Sequence, residues 1–177
     1  MDSKEAVLNQ NDIVRLIKEI NLIESYINLD VQLTPNGFDL TVGNIFKFNT
    51  SGALDFSNKE REIPEGEEIL PQKKSPRDKF GWWNLKKGIY KVRTNEEVSL
   101  PLDLIAVAFS RTSLLRMGAF TQHGAWDAGF KGKSEFILVI ENPKGIRLKE
   151  NARIAQLIFL KINAAIRGYQ GIYQNSK

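Results

Sequence analysis

The segment 110–118, SRTSLLRMG, places two arginines and three hydroxyl side chains directly after the apolar run LIAVAF. Arginine forks, hydroxyls and backbone N–H groups are the donors that a polyphosphate needs, because each contact to a phosphate oxygen is charge-assisted. The segment therefore predicts a phosphate site, although a capped helical turn with ordinary surface arginines fits it about equally well. The candidate ligands are Arg111, Thr112, Ser113 and Arg116.

A second candidate segment, 124–132 with the sequence GAWDAGFKG, holds one carboxylate among glycines and aromatic residues. This spacing predicts a hairpin whose backbone approaches another group closely. Asp127 in such a hairpin can orient a water molecule as a general base, or accept a hydrogen bond from a sugar hydroxyl. For an isolated Asp-Ala-Gly, a turn aspartate that bonds its own backbone would be the favoured interpretation.

Composition excludes several kinds of chemistry. The 177 residues include no cysteine and one histidine, His123, so a disulfide framework, a thiolate nucleophile and a multi-histidine zinc site are excluded. A catalytic serine or cysteine triad is almost excluded, because only one histidine can act as its base. Catalysis must then use carboxylates, water, metal or backbone groups. The net charge of +4 is compatible with a polyanionic partner, but the charges are scattered, which is typical of an ordinary solvated surface.

The rest of the sequence predicts the elements that position these residues. Asn11 and Asp12 precede a run of apolar residues that share one helical face, which predicts a capped helix ending before Leu29. Short apolar runs such as FDLTVGNIFKF, GIYKVRT, EEVSLP and RIAQLIFLKI then predict strands. We therefore expect one mostly β domain over residues 1–177, a distorted barrel or jelly-roll-like sandwich with a short N-terminal helix.

Residues 57–79 are rich in charge and proline and predict a long surface excursion. The Gly81-Trp82-Trp83 sequence that follows predicts an aromatic anchor for core or interface packing. The first twelve residues, MDSKEAVLNQND, include no apolar stretch of signal-peptide type, and no later run approaches membrane-spanning length. We therefore expect a soluble, cytoplasmic protein with no membrane partner.

Three blocks in this order, SRTSLLRMG, AWDAGFKG and NARIAQLIF, resemble the signature segments of the dUTP pyrophosphatase and dCTP deaminase superfamily, in its archaeal-type branch. The resemblance extends upstream to VQLTPNGFDLTVG, which is similar to the family's early strand with its Gln-x-x-x-x-Gly-x-Asp-Leu run. It extends downstream to GYQGIYQ. Each block is a weak signal by itself, and their shared order makes the resemblance specific.

The resemblance implies a dUTPase-like distorted β-barrel that forms a homotrimer, with each nucleotide bound at a subunit interface. It implies hydrolysis of dUTP to dUMP and pyrophosphate. On the same resemblance, Arg111, Thr112, Ser113 and Arg116 would bind the phosphates. Asp127 would contact the 3′-hydroxyl of the deoxyribose and position the attacking water.

The resemblance also implies contacts to the nucleoside. Phe130 would lie under the sugar and leave no room for a 2′-hydroxyl. Backbone groups of Ala125 and Trp126 would contact the base edge, and Gln156 would reach the nucleotide from a neighbouring strand. Arg153, in the same block as Gln156, fits an ordinary strand pattern and is interpreted as structural.

The family's pyrophosphatases use Mg²⁺, which would be held through phosphate oxygens and water, with no direct protein ligand. The segment 167–177 is predicted to be a flexible C-terminal lid, in which Tyr169, Tyr173 and Gln174 are the candidates for closing over the nucleotide. A frayed polar terminus is a serious competing interpretation of the same residues.

Two alternative functions stay open. The family's deaminases carry a glutamate ten positions after the hairpin aspartate; here that position is Ile137, and Glu135 could replace it only if a bulge or register shift moved it. A dCTP deaminase or a bifunctional enzyme is therefore the first alternative. The second is a non-catalytic nucleotide- or nucleic-acid-binding module, which predicts aromatic residues interleaved along a basic face and no carboxylate beside the phosphates. Asp127 weighs against it, so we expect no nucleic-acid partner.

Overall fold

The computed structural model describes residues 6–176, in which one helix of 11 residues precedes a succession of strands. The helices are α1 (Gln10–Ile20), α2 (Leu29–Gln32) and α3 (Thr112–Arg116). The strands are β1 (Ile23–Glu24), β2 (Leu33–Thr34), β3 (Gly37–Phe48), β4 (Gly66–Glu68), β5 (Trp82–Leu85), β6 (Gly88–Ser99), β7 (Leu104–Ser110), β8 (Ala119–Gln122), β9 (Lys131–Ile140), β10 (Ile146–Lys149) and β11 (Arg153–Lys161).

Most strands belong to one antiparallel sheet in the order β7-β11-β3-β6-β9-β8, with β1, β2 and β4 paired along it. The two ends of this order meet, because the hydroxyl of Ser110 on β7 accepts the backbone N–H of Thr121 on β8 at 2.8 Å. This contact brings the edges together, so the sheet curls into a nearly closed barrel. The predicted mostly β, barrel-like fold is confirmed.

Strand β6 shows how the sequence specifies the barrel core. Buried residues alternate with half-buried ones from Tyr90 to Ser99, because successive side chains of a strand point to opposite faces. The predicted runs GIYKVRT and EEVSLP are therefore one continuous strand. The core that they help to form includes the fully buried Phe38 and Phe159, and burial of each such side chain contributes about 1.5–3 kcal/mol.

The N-cap of helix α1 is Asn9, two residues before the predicted cap at Asn11. The side chain of Asn9 accepts the backbone N–H of Asn11 at 2.8 Å and of Asp12 at 3.2 Å, while Asp12 accepts the N–H of Asn9. The assignment of Asn11 and Asp12 as the cap was wrong, because Asp12 is the third-residue partner in a capping box. None of the helices within residues 6–176 is long and apolar enough to cross a membrane.

Residues 57–79 run mainly over the surface, and the excursion includes the strand β4, which pairs with β3. The backbone N–H of Ile69 continues this pairing with a 2.8 Å bond to the carbonyl of Ile45. The excursion is therefore anchored to the barrel at its middle, through β4 and Ile69.

A separate two-stranded ribbon is formed by β5 and β10. Trp83, on the inner face of the ribbon, is 2% exposed and donates its indole N–H to the carbonyl of Ile69 at 2.6 Å. Its neighbour Trp82 is half-buried on the outer face. The aromatic anchor is therefore Trp83 alone, and Trp82 belongs to a different surface.

Candidate functional site

Two separate cavities hold most of the candidate residues. The arginine cavity, of about 450 Å³, lies beside α3 and is lined in part by Arg111, Ser113 and Arg153. The aspartate cavity, of about 690 Å³, lies against β9 and is lined in part by Asp127 and Phe130. Among residues 6–176 none lines both cavities, so Arg111 and Ser113 face a different space from Asp127 in the same chain.

The predicted phosphate ligands lie on and before α3, which follows β7 directly. Arg111 is the N-cap residue, and its backbone N–H donates to the carbonyl of Ile154 at 3.0 Å. Thr112 and Arg116 are four positions apart, so they share one face of the helix, and both are exposed outside the two cavities. Ser113 lies on another face and lines the arginine cavity with Arg111.

The buried carboxylate of Asp39 fixes the arginines of this cavity. One oxygen, Oδ2, lies 3.0 Å from Nε of Arg111 and 3.2 Å from Nη1 of Arg153, while the side chain of Asp39 is only 3% exposed. Burial raises the pKa of Asp39, and the two guanidinium groups offset part of that rise. Arg153, interpreted from the sequence as an ordinary strand residue, is instead part of this network and also donates to the carbonyl of Val31 at 2.6 Å.

A second buried carboxylate, Glu96, holds Gln32 and Thr41, two residues that line the arginine cavity. It accepts hydrogen bonds from Gln32 Nε2 at 2.7 Å, from the backbone N–H of Thr41 at 2.9 Å and from the Thr41 hydroxyl at 2.5 Å. Burial raises the pKa of Glu96, and these bonds offset part of the rise. The Gln-x-x-x-x-Gly-x-Asp-Leu run thus supplies polar support beneath the arginine cavity through Gln32 and Asp39.

The sequence analysis assigned no role to these two carboxylates. Asp39 carried a signal, since it lies in the quoted run, whereas Glu96 lies in the sequence NEE, which is typical of an exposed strand segment. Glu96 nevertheless faces inward, because it stands on the same face of β6 as the buried Val92, Thr94 and Val98. The alternation along β6 therefore carried a signal for the burial of Glu96 that the charged sequence obscured.

Asp127 projects from the loop between β8 and β9 into the aspartate cavity. Its backbone carbonyl accepts the N–H of Phe130 at 3.0 Å, which closes a tight turn. Within residues 6–176 its carboxylate makes no hydrogen bond or ion pair, so the interpretation as a turn aspartate bonding its own backbone does not hold. The carboxylate is exposed and available to a water molecule or a ligand.

Gly129 is required by the same turn. Its φ of +80° is a conformation that side-chain-bearing residues rarely adopt, and a Cβ there would lie 2.7 Å from Cα of Gly168. The pair of glycines lets the C-terminal segment pack directly on the turn. Phe130, the next residue, is 8% exposed and forms part of the wall beside Asp127.

Trp126, predicted to contact the base through its backbone, forms hydrogen bonds within the protein instead. Its backbone N–H and carbonyl both bond to Ala106 on β7, at 2.9 and 3.0 Å, and its indole N–H donates to the hydroxyl of Ser134 at 2.7 Å. The backbone of Trp126 is therefore engaged by β7 and is not free in the way a base contact requires. Ala125 is exposed and lines the aspartate cavity, so its backbone is the better placed of the two.

His123 lies beside this loop, in contact with the rings of Phe136 and Trp126 at centroid distances of 4.4 and 5.8 Å. Burial lowers the pKa of His123 to about 4, and a hydrogen bond to the backbone of Ala108 opposes that shift. Within the described residues its buried Nε2 has no hydrogen-bond partner. His123 is thus neutral near pH 7 and does not line the aspartate cavity.

The C-terminal segment contributes Tyr169, Tyr173 and Ser176 to the lining of the aspartate cavity. Gln174 donates to the carbonyl of Gly129 at 2.9 Å and accepts the N–H of Lys131 at 3.0 Å. Tyr169 packs its ring against Phe130 at a centroid distance of 5.6 Å, and Tyr173 also lines the cavity. The three predicted lid residues therefore lie together at this cavity, held by bonds to the aspartate loop; residue 177 of the predicted lid lies outside the described residues.

Glu135 and Ile137 both line the aspartate cavity. The carboxylate of Glu135 is held by Arg93 at 2.7 Å and by Lys91 at 3.2 Å. The pairing of β9 with β6 continues without interruption from Glu135 to Ile140, and the extra residues at the nearby irregularity lie on β6. No bulge of β9 therefore moves Glu135 into the place of Ile137.

Asp127 and α3 lie at different points along β7. The aspartate loop meets β7 at Ala106, whereas α3 begins after Ser110 at the strand's end. Four residues of strand separate these points by about 13 Å. Gln156 lies in neither cavity and donates to the hydroxyl of Thr34 at 2.7 Å, so one chain does not bring it to Asp127.

Comparison with known proteins gives the family. Residues 7–162 match the sequence model described as "dCTP deaminase-like". The chain belongs to the dCTP deaminase-like family. A relative from Methanosarcina mazei, named "Probable deoxyuridine 5'-triphosphate nucleotidohydrolase", is 42% identical over 96% of this chain and 97% of its own length. The "Deoxyuridine 5'-triphosphate nucleotidohydrolase" of Methanocaldococcus jannaschii is 35% identical over 81% of this chain and 87% of its own.

The fold of this family member also matches a solved structure. The 2'-deoxycytidine 5'-triphosphate deaminase of Agrobacterium tumefaciens superposes with a TM-score of 0.60 at 20% identity, over 89% of this chain. This chain spans about half the length of that structure, 48%. At this identity the likeness supports the barrel fold alone.

Proposed function

We propose that this protein hydrolyses dUTP to dUMP and pyrophosphate in the cytoplasm. The observation that carries the proposal is the free, exposed carboxylate of Asp127 beside the ring of Phe130 in an open cavity. The names of the Methanosarcina and Methanocaldococcus relatives support dUTP as the substrate. In this proposal Phe130 packs under the deoxyribose and excludes a 2′-hydroxyl, and the backbone of Ala125 contacts the base.

Asp127 acts on water. Its carboxylate orients a water molecule and takes its proton as the water oxygen bonds to phosphorus. The bond between the α-phosphorus and the oxygen that bridges to the β-phosphate breaks, and that oxygen leaves with pyrophosphate. Hydroxyls and guanidinium groups of Thr112, Ser113, Arg111 and Arg116 stabilise the negative charge on the phosphates.

Mg²⁺ is part of the proposal through the substrate. Within residues 6–176 no three carboxylate or imidazole groups are placed to hold a metal ion, but an open cavity with a free carboxylate accommodates an ion that is bound by phosphate oxygens and water. When bound there, Mg²⁺ supplies charge neutralisation at the phosphates. Asp127 is left free for water.

We further propose that a neighbouring copy completes each site. Because the aspartate cavity and α3 of one chain lie at different points along β7, we place each nucleotide between the aspartate side of one chain and the arginine side of its neighbour. Apolar side chains beside α3 support such an interface: Leu115 is 53% exposed and Phe109 on β7 is 60% exposed, and exposed apolar groups of this kind mark contact surfaces. A homotrimer with three equivalent interfaces satisfies this requirement, and Gln156 would then approach a nucleotide held by the neighbouring chain.

Deamination of dCTP is the second candidate, because Glu135 lies in the same cavity as Asp127. Two cations hold its carboxylate, however, and the apolar Ile137 occupies the position at which the family's deaminases carry their glutamate. In this proposal the ion pairs with Arg93 and Lys91 hold the carboxylate of Glu135, so it does not serve proton transfer at a base ring. The pairing therefore favours hydrolysis without deamination.

One assay tests the proposal. Pyrophosphate release is measured with dUTP, dCTP and UTP, with Mg²⁺ present or chelated, and ammonia release from dCTP is measured in parallel. We expect rapid release from dUTP that depends on Mg²⁺, little release from UTP, and no ammonia. Absence of pyrophosphate release from dUTP would refute the proposal, and ammonia release abolished by Glu135→Gln would establish the bifunctional alternative.

A further inference from the structure

The fold gathers positive charge on the β5–β10 ribbon and on the chain that leads into it. Residues 71–87 and 141–150 carry nine lysines and arginines against three acidic residues, an excess of six charges that is larger than the +4 of the whole chain. The rest of the chain is therefore slightly negative. The ribbon joins the two segments, since β5 lies in the first and β10 in the second. Charges that are scattered along the sequence thus form one basic surface.

A cleft of about 450 Å³ in this surface, which we call the ribbon cleft, is lined by Gln72, Lys73, Lys74, Trp82, Asn84 and Arg147. Among residues 6–176, no aspartate or glutamate lines it. Trp82 and Arg147 also line the arginine cavity, whereas the other four residues line the ribbon cleft alone. The ribbon cleft is therefore a separate space with its own cations.

The cations of this surface are not neutralised by the protein. In the described part of the chain, one of the nine forms an ion pair: Nζ of Lys87 lies 2.6 Å from the carboxylate of Glu141. The other two acidic residues, Asp78 and Glu150, accept backbone N–H groups of the chain that leads into β5. Uncompensated cations around one concave surface attract a polyanion, because negative charge among them relieves their mutual repulsion.

Trp82 supplies a flat ring among these cations. Arg147 pairs with Asn84 and Lys149 with Trp82, so these four residues share the outer face of the ribbon. The guanidinium carbon of Arg147 lies 4.6 Å from the ring centroid of Trp82, and this stacking orients the guanidinium. Because Arg147 is exposed, its guanidinium is open to a further flat group. Unpaired nucleic-acid bases stack on guanidinium planes as they do on aromatic rings.

Two amide side chains add hydrogen-bonding groups of a different kind. Gln72 and Asn84 are exposed, and within residues 6–176 their amides make no hydrogen bond. An amide both donates and accepts, which suits the edge of a base. A ligand that offered phosphates alone would use the cations and leave these amides without a role.

We propose that the ribbon cleft and the basic surface around it bind single-stranded nucleic acid. The lysines contact backbone phosphates, a base stacks on Arg147, and the amides of Gln72 and Asn84 contact base edges. A single strand fits better than a duplex, because its unpaired bases can reach the guanidinium and the amides.

The expectation of no nucleic-acid partner concerned a different surface. It rested on Asp127, which argued against a nucleic-acid-binding module at the candidate catalytic site. Among residues 6–176, none lines both the ribbon cleft and the aspartate cavity. Nucleic-acid binding at the ribbon is therefore compatible with dUTP hydrolysis and does not depend on it.

The first test compares Lys73→Ala/Lys74→Ala with the control Lys18→Ala/Lys59→Ala. All four lysines are exposed, and the control pair lines none of the three cavities, so each double variant loses two surface charges. Fluorescence anisotropy measures binding of an oligothymidine of about 12 nucleotides, within the size of a single-strand site. The ribbon variant should bind about tenfold more weakly, with a plot of log affinity against log salt shallower by about 1.4.

The control should stay close to wild type in both respects. The kcat and KM for dUTP should be unchanged in the ribbon variant, because neither lysine lines the arginine cavity or the aspartate cavity. Wild-type affinity of the ribbon variant for the oligothymidine would overturn the inference. Lysine-dependent binding of anionic phospholipid vesicles without oligothymidine binding would also overturn it, in favour of a membrane surface.

The second test isolates the base contact. Arg147→Lys keeps the charge and removes the guanidinium plane, so binding of the oligothymidine should weaken about fivefold. Binding of an abasic strand with the same number of phosphates should not change. Equal affinity of the wild type for the oligothymidine and the abasic strand would overturn the inference, since a general polyanion surface does not distinguish them. Tighter binding of a duplex than of the single strand would overturn it as well.

Discussion

The arginine cavity and the aspartate cavity hold their charged groups in opposite ways. Arg111 and Arg153 are fixed by the buried carboxylate of Asp39, which is itself enclosed by the barrel. Asp127 is positioned only by the backbone of its turn, and its carboxylate is free. The arginine cavity thus holds its guanidinium groups in place before a ligand binds. The aspartate cavity instead leaves a carboxylate available to water.

Replacement of the free carboxylate should have the largest effect. We expect Asp127→Asn to lower turnover of dUTP by about 10²- to 10⁴-fold, because the amide cannot take a proton from water. Affinity for a non-hydrolysable dUTP analogue and the melting temperature should change little, since the side chain makes no bond within the described chain. Steady-state pyrophosphate release and calorimetry check this; turnover within severalfold of wild type would remove Asp127 from catalysis.

Replacement of the enclosed carboxylate should act on folding first. We expect Asp39→Asn to lower the free energy of unfolding by about 2–4 kcal/mol, because it leaves two guanidinium groups without their buried counter-charge. The exposed Asp30→Asn, from the neighbouring helix α2, should stay within about 0.5 kcal/mol of wild type. Urea denaturation of both variants makes the comparison, and equal stabilities would show that Asp39 does not hold the arginines.

The phosphate side can be tested by its selectivity for charge. We expect Arg116→Ala to weaken binding of the triphosphate analogue by about 10- to 100-fold, and binding of deoxyuridine much less, because a guanidinium fork recognises phosphate rather than base. Arg15→Ala, on the surface of α1, provides the control for loss of a positive charge. An equal loss for both ligands would mean that Arg116 has a structural role.

The smallest expected effect is on the pH dependence of stability, through His123 beside the aspartate loop. Because the pKa of His123 falls from 6.5 to about 4 on folding, the unfolded chain binds more protons between these values, and stability is lost as pH falls through that window. Between pH 7 and pH 4.5, the free energy of unfolding of His123→Leu should therefore fall by roughly 1–3 kcal/mol less than that of the wild type. Asp39 and Glu96, whose pKa values are raised, make stability rise as pH falls. This contribution is the same in the wild type and in His123→Leu, so it cancels in the comparison. Urea denaturation at the two pH values measures the difference, and identical losses would contradict it.

Much of the fold could be predicted from the sequence, because strands and turns leave patterns in neighbouring residues. Alternation of apolar residues predicted the strands, and Gly-rich segments predicted the turn that carries Asp127. The cap of α1 was misplaced because Asn9 and Asn11 are equally good cap residues in isolation, and only the position of Asp12 as third residue decides between them.

The site was less accessible because its causes are not local. The separation of Asp127 from α3 depends on where the aspartate loop meets β7, at Ala106, and no spacing in the sequence encodes that contact. The network of Asp39 with Arg111 and Arg153 joins β3, the N-cap of α3 and β11, which are far apart in the chain.

The most direct test of the account asks whether Asp127 and Arg116 act from different chains. Asp127→Asn and Arg116→Ala proteins, each with little activity alone, are co-refolded in equal amounts and assayed for dUTP hydrolysis. If each site combines the aspartate side of one chain with the arginine side of its neighbour, random assembly restores intact pairs at about a quarter of the interfaces, and activity should recover to about a quarter of wild type. Activity no greater than the sum of the separate variants would place both residues in one chain and contradict the account.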